Sequence, residues 1–147
     1  MRAKLAVSSQ NEMADFAQKL TTTIKVGDIL LLDGPLGAGK TFLAQQVMKS
    51  LGVTEPVTSP TFVMVKSYRG KLPINHIDAY RLLDLPNPRQ AFDELDIELD
   101  SAVTIVEWGG GFDEGGDALY ITIEIDVGEK RTLIIEGPDS RWGGLQL

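Results

Sequence analysis

The chain has 147 residues, 43% of them hydrophobic, enough for one sizeable core but too few for two ordinary domains, so a single domain over residues 1–147 is expected. It contains no cysteine, which excludes disulfides and thiolate metal sites and makes a reducing compartment the expectation. A formal net charge of -7 argues against a chain that wraps nucleic acid through its own electrostatics, because phosphate contacts need clustered Lys and Arg.

Behind Arg2 and Lys4 the apolar stretch Leu5-Ala6-Val7 is too short for a signal peptide, and no later run could span a bilayer. A cytoplasmic protein with no membrane contact is expected. A short strand near residues 4–7 precedes a helix whose start is marked by Ser9 and Glu12, a capping box. Met13, Phe16, Ala17, Leu20 and Ile24 repeat along that helix at helical spacing. Gly27-Asp28 then turns the chain into Ile29-Leu30-Leu31-Leu32, a buried strand.

The next segment, Gly34-Pro35-Leu36-Gly37-Ala38-Gly39-Lys40-Thr41, fits the phosphate-binding pattern G-x-x-x-x-G-K-[ST]. It sits between that strand and a helix carrying Phe42, Leu43, Val47 and Met48 inward, which ends near Leu51-Gly52. Glycines let backbone amides curl around an anion, the helix start adds partial positive charge, and Lys40 supplies a full one. Thr41 would hold magnesium through its hydroxyl. The expected ligand is a nucleoside triphosphate lined by Gly37, Ala38, Gly39, Lys40, Thr41 and Phe42, the alternative being a glycine turn that binds nothing.

Thr58-Ser59-Pro60-Thr61-Phe62 is a hydroxyl-rich loop, either a sensor of the terminal phosphate or an ordinary turn. Residues 61–68 have strand character, Arg69-Gly70-Lys71 reads as a hairpin turn, and residues 72–77 form its return strand, so the sheet is expected to be mixed. The return strand leads into His76-Ile77-Asp78-Ala79-Tyr80-Arg81, where His76 and Asp78 alternate onto one face. Asp78 would contact the metal through water or polarise an attacking water, and Arg81 would neutralise phosphate charge. His76 is either catalytic or structural.

Pro86 and Pro88 break the chain before Ala91, Phe92, Leu95 and Leu99, which suggest an acidic helix. Six carboxylates stand against Arg89 between Asp84 and Asp100, a solvated face or a docking surface for a basic partner. Val103-Thr104-Ile105-Val106 is the next buried strand and ends on Glu107, the best candidate for the carboxylate that completes a magnesium shell. Its alternative is a strand-end glutamate in solvent. A glycine-rich loop over residues 109–116 follows, read as mobile. Then Leu119, Ile121, Ile123, Ile125 and Val127 alternate with Tyr120, Thr122, Glu124 and Asp126, and Gly128-Glu129 turns the strand into residues 131–136, a C-terminal hairpin.

Four segments, G-P-L-G-A-G-K-T, V-T-S-P-T-F, H-I-D-A-Y-R and I-V-E-W, occur in that order over residues 34–108 and resemble the TsaE (YjeE) family of bacterial P-loop ATPases. The resemblance is weakest in the final hairpin. It implies an α/β, three-layer P-loop NTPase-like fold and a Mg2+-dependent ATPase, weak alone and stimulated by partners. The family serves threonylcarbamoyladenosine formation in tRNA, working with TsaD and TsaB and resetting their assembly through ATP hydrolysis. By position, Lys40 and Thr41 would bind phosphate and magnesium, Glu107 would match the metal-binding glutamate, and Asp78 the essential aspartate. Trp108 would lie near the nucleotide. Where the family continues with proline and an acidic residue, this chain has Gly109 and Gly110. Contact with tRNA would pass through the partners, since the chain is acidic.

Three rival readings compete. Asn75-His76-Ile77-Asp78 and Asp113-Glu114-Gly115-Gly116 imitate GTPase motifs, but in reversed order and with His76 in place of the lysine. A small-molecule kinase would need an acceptor pocket and a lid with several arginines, and only six arginines are scattered along the chain. A nucleotide-gated binding module would use ATP mainly to control docking.

Overall fold

A computed structural model of the chain describes residues 1–58, 64–112 and 116–147. Among these residues seven strands form one sheet: β1 (Arg2–Val7), β2 (Ile29–Asp33), β3 (Val65–Arg69), β4 (Pro73–Asp78), β5 (Val103–Glu107), β6 (Leu119–Ile125) and β7 (Arg131–Glu136). Their order is β1-β7-β6-β2-β5-β4-β3. The central strands β6, β2, β5 and β4 run parallel, and β3 and β7 add antiparallel neighbours at either side, so the sheet is mixed as expected. The loop after Lys71 and the register Arg69↔Pro73 place the middle hairpin close to its expected position.

Alternation along the central strands sorts side chains to two cores. Leu30 and Leu32 of β2, Ile105 of β5 and Ile74 of β4 pack with helices α1 (Gln10–Thr21) and α2 (Lys40–Ser50). Leu31, Val106 and Ile77 face the opposite side, where they meet Leu82 of a 3-10 helix (Tyr80–Asp84), Phe92 of α3 (Pro88–Asp93) and Phe112. Helical segments thus cover both faces of the sheet, giving three layers. Period-2 alternation also decides which strand-end side chains share the α2 face, a point that organises the site.

Helix α1 begins as expected, with Ser9 Oγ accepting from the Glu12 amide at 3.2 Å. It stops at Thr21, before Ile24, because the hydroxyls of Thr21 and Thr22 bond back to the carbonyls of Gln18 and Lys19 at 2.8 and 2.7 Å. Such back-bonding and β-branching weaken a helix end. Helix α2 ends where expected, with Gly52 at φ 87° in the left-handed region.

Three expectations need correction. The acidic helix extends only over Pro88–Asp93, and Leu95 and Leu99 lie beyond it. Carboxylates at Asp93 and Glu94 oppose the negative end of the helix dipole, and Asp96 at φ 52° leaves helical space. In the final hairpin Ile125 and Val127, expected on one face with Leu119, Ile121 and Ile123, are 46% and 78% exposed while those three are buried. The last β2–β6 pair is Asp33↔Thr122, so the hairpin tip runs past the strand that would cover it. Phe42, expected to point inward, is only partly buried.

A C-terminal helix α4 (Asp139–Trp142) was not anticipated. Trp142 is fully buried in the α1/α2 core, and its indole N–H donates to the Asp117 carbonyl at 2.8 Å. Beside it, Arg141 donates to Asp28 Oδ1 at 2.7 Å, to Asp28 Oδ2, and to the Thr23 carbonyl at 2.7 Å. This clasp ties α4 to the turn that launches β2. Truncation of a fully buried tryptophan leaves a large cavity, so Trp142→Ala is expected to lower unfolding free energy by about 3–5 kcal/mol in urea titration. A loss below about 1 kcal/mol would show that α4 is not part of the cooperative core.

Candidate nucleotide site

The glycine loop leaves β2 at Asp33, and each glycine has a separate duty. Gly34 sits at φ 143°, and a Cβ there would lie 2.5 Å from the Ile123 carbonyl oxygen, so only glycine lets the loop pass this close to β6. Asp33 Oδ1 accepts the Gly34 amide at 2.9 Å. Gly39, at φ 112°, occupies the N-cap of α2 in left-handed geometry, and its carbonyl accepts the Leu43 amide at 2.9 Å. No side chain caps this helix start, which leaves its amides to an anion.

Lys40 is buried at 5% exposure. Its ammonium donates to the Gly34 carbonyl at 2.6 Å and the Pro35 carbonyl at 2.9 Å, and lies 3.7 Å from the centre of the Trp108 ring. Burial pushes its pKa below the ordinary lysine value, while Asp33, Glu107 and Asp78 pull the other way. These carboxylates hold a cation in place that carbonyls and a ring face satisfy only partly.

Thr41 follows on the first turn of α2, and its hydroxyl donates to Glu107 Oε1 at 2.5 Å although 66 residues separate them. Glu107 ends β5 at 3% exposure. Its other oxygen, Oε2, lies 2.5 Å from His76 Nε2, and His76 is wholly buried. The parallel register explains the meeting. His76 pairs with Ile105 and Asp78 with Glu107, so His76, Asp78 and Glu107 all point to the side of Ile74 and Ile105, the side that α2 covers.

Asp78 is 9% exposed and accepts the Tyr80 amide through Oδ1 at 3.0 Å. The Ala79 amide donates to the Glu107 carbonyl at 3.0 Å, which ties the two strand exits together. Trp108 takes φ 62°, uncommon for a residue with a side chain, and its ring meets that of Tyr80 at 4.9 Å between centroids. Gly109 then returns its amide to the Leu32 carbonyl at 3.0 Å, and a Cβ there would lie 2.8 Å from the Val106 carbonyl oxygen. Proline at this position would remove that donor.

These side chains surround a hollow of about 500 Å³ lined by Leu36, Gly37, Gly39, Lys40, Thr41, Phe42, Asp78, Tyr80, Glu107 and Trp108. Ala38 instead faces a second hollow of about 220 Å³ on the other side of the loop, with Gln10, Met13, Glu129 and Arg131. Arg131 reaches from the hairpin to donate to the Ala38 carbonyl at 3.0 Å. No sequence pattern marked Gln10 or Arg131, because both lie outside the phosphate motif and meet it only through the fold.

Other candidates lie elsewhere. Asn75 lines a separate hollow with Ser67, Glu98 and Ser101 toward the start of β4, so the asparagine of the guanine-motif imitation lies apart from Asp78, which lines the hollow at the glycine loop. Most of the hydroxyl-rich loop, residues 59–62, and residues 113–115 of the glycine-rich segment lie outside the described residues. Thr58 is described, and its hydroxyl accepts from Lys66 Nζ at 2.9 Å. Among the described residues no helix is long and apolar enough to cross a membrane.

Residues 7–133 match the family described as "Threonylcarbamoyl adenosine biosynthesis protein TsaE". A Streptomyces coelicolor protein named "tRNA threonylcarbamoyladenosine biosynthesis protein TsaE" is 37% identical over 139 residues, covering 88% of this chain and 93% of that one. A Mycobacterium bovis protein of the same name is 38% identical over 117 residues, covering 74% of this chain and 69% of its own. Among solved structures, the Bacillus subtilis protein YdiB superposes with a TM-score of 0.78 at 28% identity, covering 99% of this chain and 91% of that one. With its P-loop sheet order, its glycine cradle and these relatives, the chain belongs to the TsaE family.

Proposed function

We propose that the chain binds ATP with Mg2+ at the glycine loop and hydrolyses it as an accessory to threonylcarbamoyladenosine modification of tRNA. The observation that carries this reading is the 2.5 Å contact between Thr41 Oγ1 and Glu107 Oε1 at the lip of the amide cradle. A hydroxyl and a carboxylate are hard oxygen donors of the kind Mg2+ accepts, and few are needed because phosphates and water complete its shell. Consistent with that economy, no cage of three or more His, Cys, Asp or Glu side chains occurs among the described residues. When bound, the cation would neutralise charge on the outer phosphates.

The protein's own groups divide the remaining work. Loop amides and the open start of α2 hold the phosphates. Lys40 exchanges its carbonyl partners for phosphate oxygens and counters the charge that grows on the terminal group. Asp78, with one oxygen engaged by the Tyr80 amide, uses the other to orient a water for attack on the terminal phosphorus. For the nucleoside end we take the hollow beside Gln10 and Arg131, supported by its sharing Gly37, Gly39 and Phe42 with the phosphate hollow.

Exposed apolar groups line the hollow at Leu36, 87% exposed, and Tyr80, 52%, and continue along the segment after Tyr80 at Leu83 and Leu85, 46% and 43% exposed. Such side chains suit a partner surface, and TsaD and TsaB are the partners proposed, with tRNA reached through them. No arginine lines the phosphate hollow among the described residues, which favours hydrolysis completed by partners over a self-contained kinase.

Lys40→Ala is expected to abolish ATP binding in calorimetry, whereas Asp78→Ala should retain binding and lose about 100-fold or more in phosphate release. The reverse pattern would show the roles to be misassigned. Arg131→Ala should weaken ATP binding about 10-fold; unchanged affinity would remove the nucleoside from the second hollow. Immobilised chain should retain TsaD and TsaB differently with ATP and with ADP, and equal retention would contradict nucleotide-controlled assembly.

A further inference from the structure

We infer that His76 is the positioning residue of the metal-binding carboxylate, an assignment that rests on the functional reading above. Its imidazole lies 2.5 Å from Glu107 Oε2 and is wholly buried. A carboxylate that ligates a cation is ionised and only accepts, so in that role of Glu107 the hydrogen of this bond would reside on Nε2. The opposite oxygen of the same carboxylate takes the Thr41 hydroxyl at 2.5 Å. Glu107 is therefore gripped from both ends, by β4 through His76 and by α2 through Thr41.

His76 does not line the phosphate hollow, so it acts through Glu107 and not on the nucleotide. Its other nitrogen, Nδ1, is buried with no hydrogen-bond partner among the described residues. Apart from Nε2, then, the ring has no polar bond that would justify burying it in β4, where Ile74 precedes it on the same face and Ile77 follows it, both buried. An aliphatic side chain would fill that place at lower cost if packing were its only duty. Hydrogen bonding to a ligating carboxylate fixes its rotamer before the cation arrives, and loss of such an outer contact typically lowers metal affinity about 10–100-fold.

The test compares His76→Met, which keeps bulk and removes the donor, with His76→Gln, whose amide can still donate to Oε2. ADP affinity is measured in EDTA, and Mn2+ affinity of the ADP complex is measured by electron paramagnetic resonance. With His76→Met, ADP affinity in EDTA should stay within about twofold while Mn2+ affinity falls about 10–100-fold. His76→Gln should recover most of the loss. In a Glu107→Gln background, His76→Met should add nothing. Unchanged Mn2+ affinity in His76→Met, or no recovery in His76→Gln, would overturn the assignment.

Because His76 is the sole histidine, its imidazole nitrogen resonance in the unsubstituted protein gives a second readout should His76→Met fail to fold. Mg2+ added to the ADP complex should shift that resonance, and ADP alone should not. A resonance blind to Mg2+ would refute the role. Failure of the unsubstituted chain to bind ADP in either condition would instead bring down the functional reading, and this inference with it.

Discussion

A buried carboxylate held between two strands and a helix organises this site. Glu107 is 3% exposed and its oxygens are divided between Thr41 and His76. An isolated ionised group in such a place would cost several kcal/mol in lost hydration, so its partners are a condition of the fold as well as of the chemistry. The parallel pairing of β4 with β5 brings His76 there, and the pairing of β5 with β2 brings the glycine loop and α2 above it. A slip of one residue in either ladder would turn Glu107 to the opposite face, into the cluster around Val106 and Phe112.

Around that carboxylate the backbone is shaped by close contacts at Gly34 and Gly109 and by left-handed geometry at Gly39. Gly34 passes against the Ile123 carbonyl, Gly39 opens α2 in left-handed geometry, and Gly109 lets the chain turn back to Leu32. Trp108 between Glu107 and Gly109 is forced into positive φ, and its ring then covers Lys40. A lysine resting on two loop carbonyls and an aromatic face is available for exchange, since each of those partners is weaker than the phosphate oxygen proposed to replace it. Backbone geometry at the end of β5 thus couples Glu107, the proposed metal ligand, to Lys40, the proposed phosphate ligand.

Local patterns made the loop, the flanking strand and helix, and the strand-end positions of Asp78 and Glu107 readable from residues alone. Each is a contiguous signal with one period or one spacing. Long-range relations were not readable: the His76 to Glu107 contact spans 31 residues and depends on sheet register, and Arg131 meets Ala38 only because the hairpin folds over the loop. The alternation through Ile125 and Val127 misled, because period-2 patterning does not reveal where neighbouring strands stop. The stretch after Phe92 misled for another reason, since apolar spacing continued while charge at the helix end favoured termination. Trp142 stands alone in sequence and carried no periodic signal.

The most direct measurement is a crystal structure of the chain with Mg2+ and a non-hydrolysable ATP analogue. The polyphosphate should lie in the loop between Gly34 and Thr41, with the cation about 2.0–2.1 Å from oxygens of Thr41 and Glu107 and His76 Nε2 still bonded to the far carboxylate oxygen. Polyphosphate bound elsewhere, or a cation held without Glu107, would contradict this reading of the site.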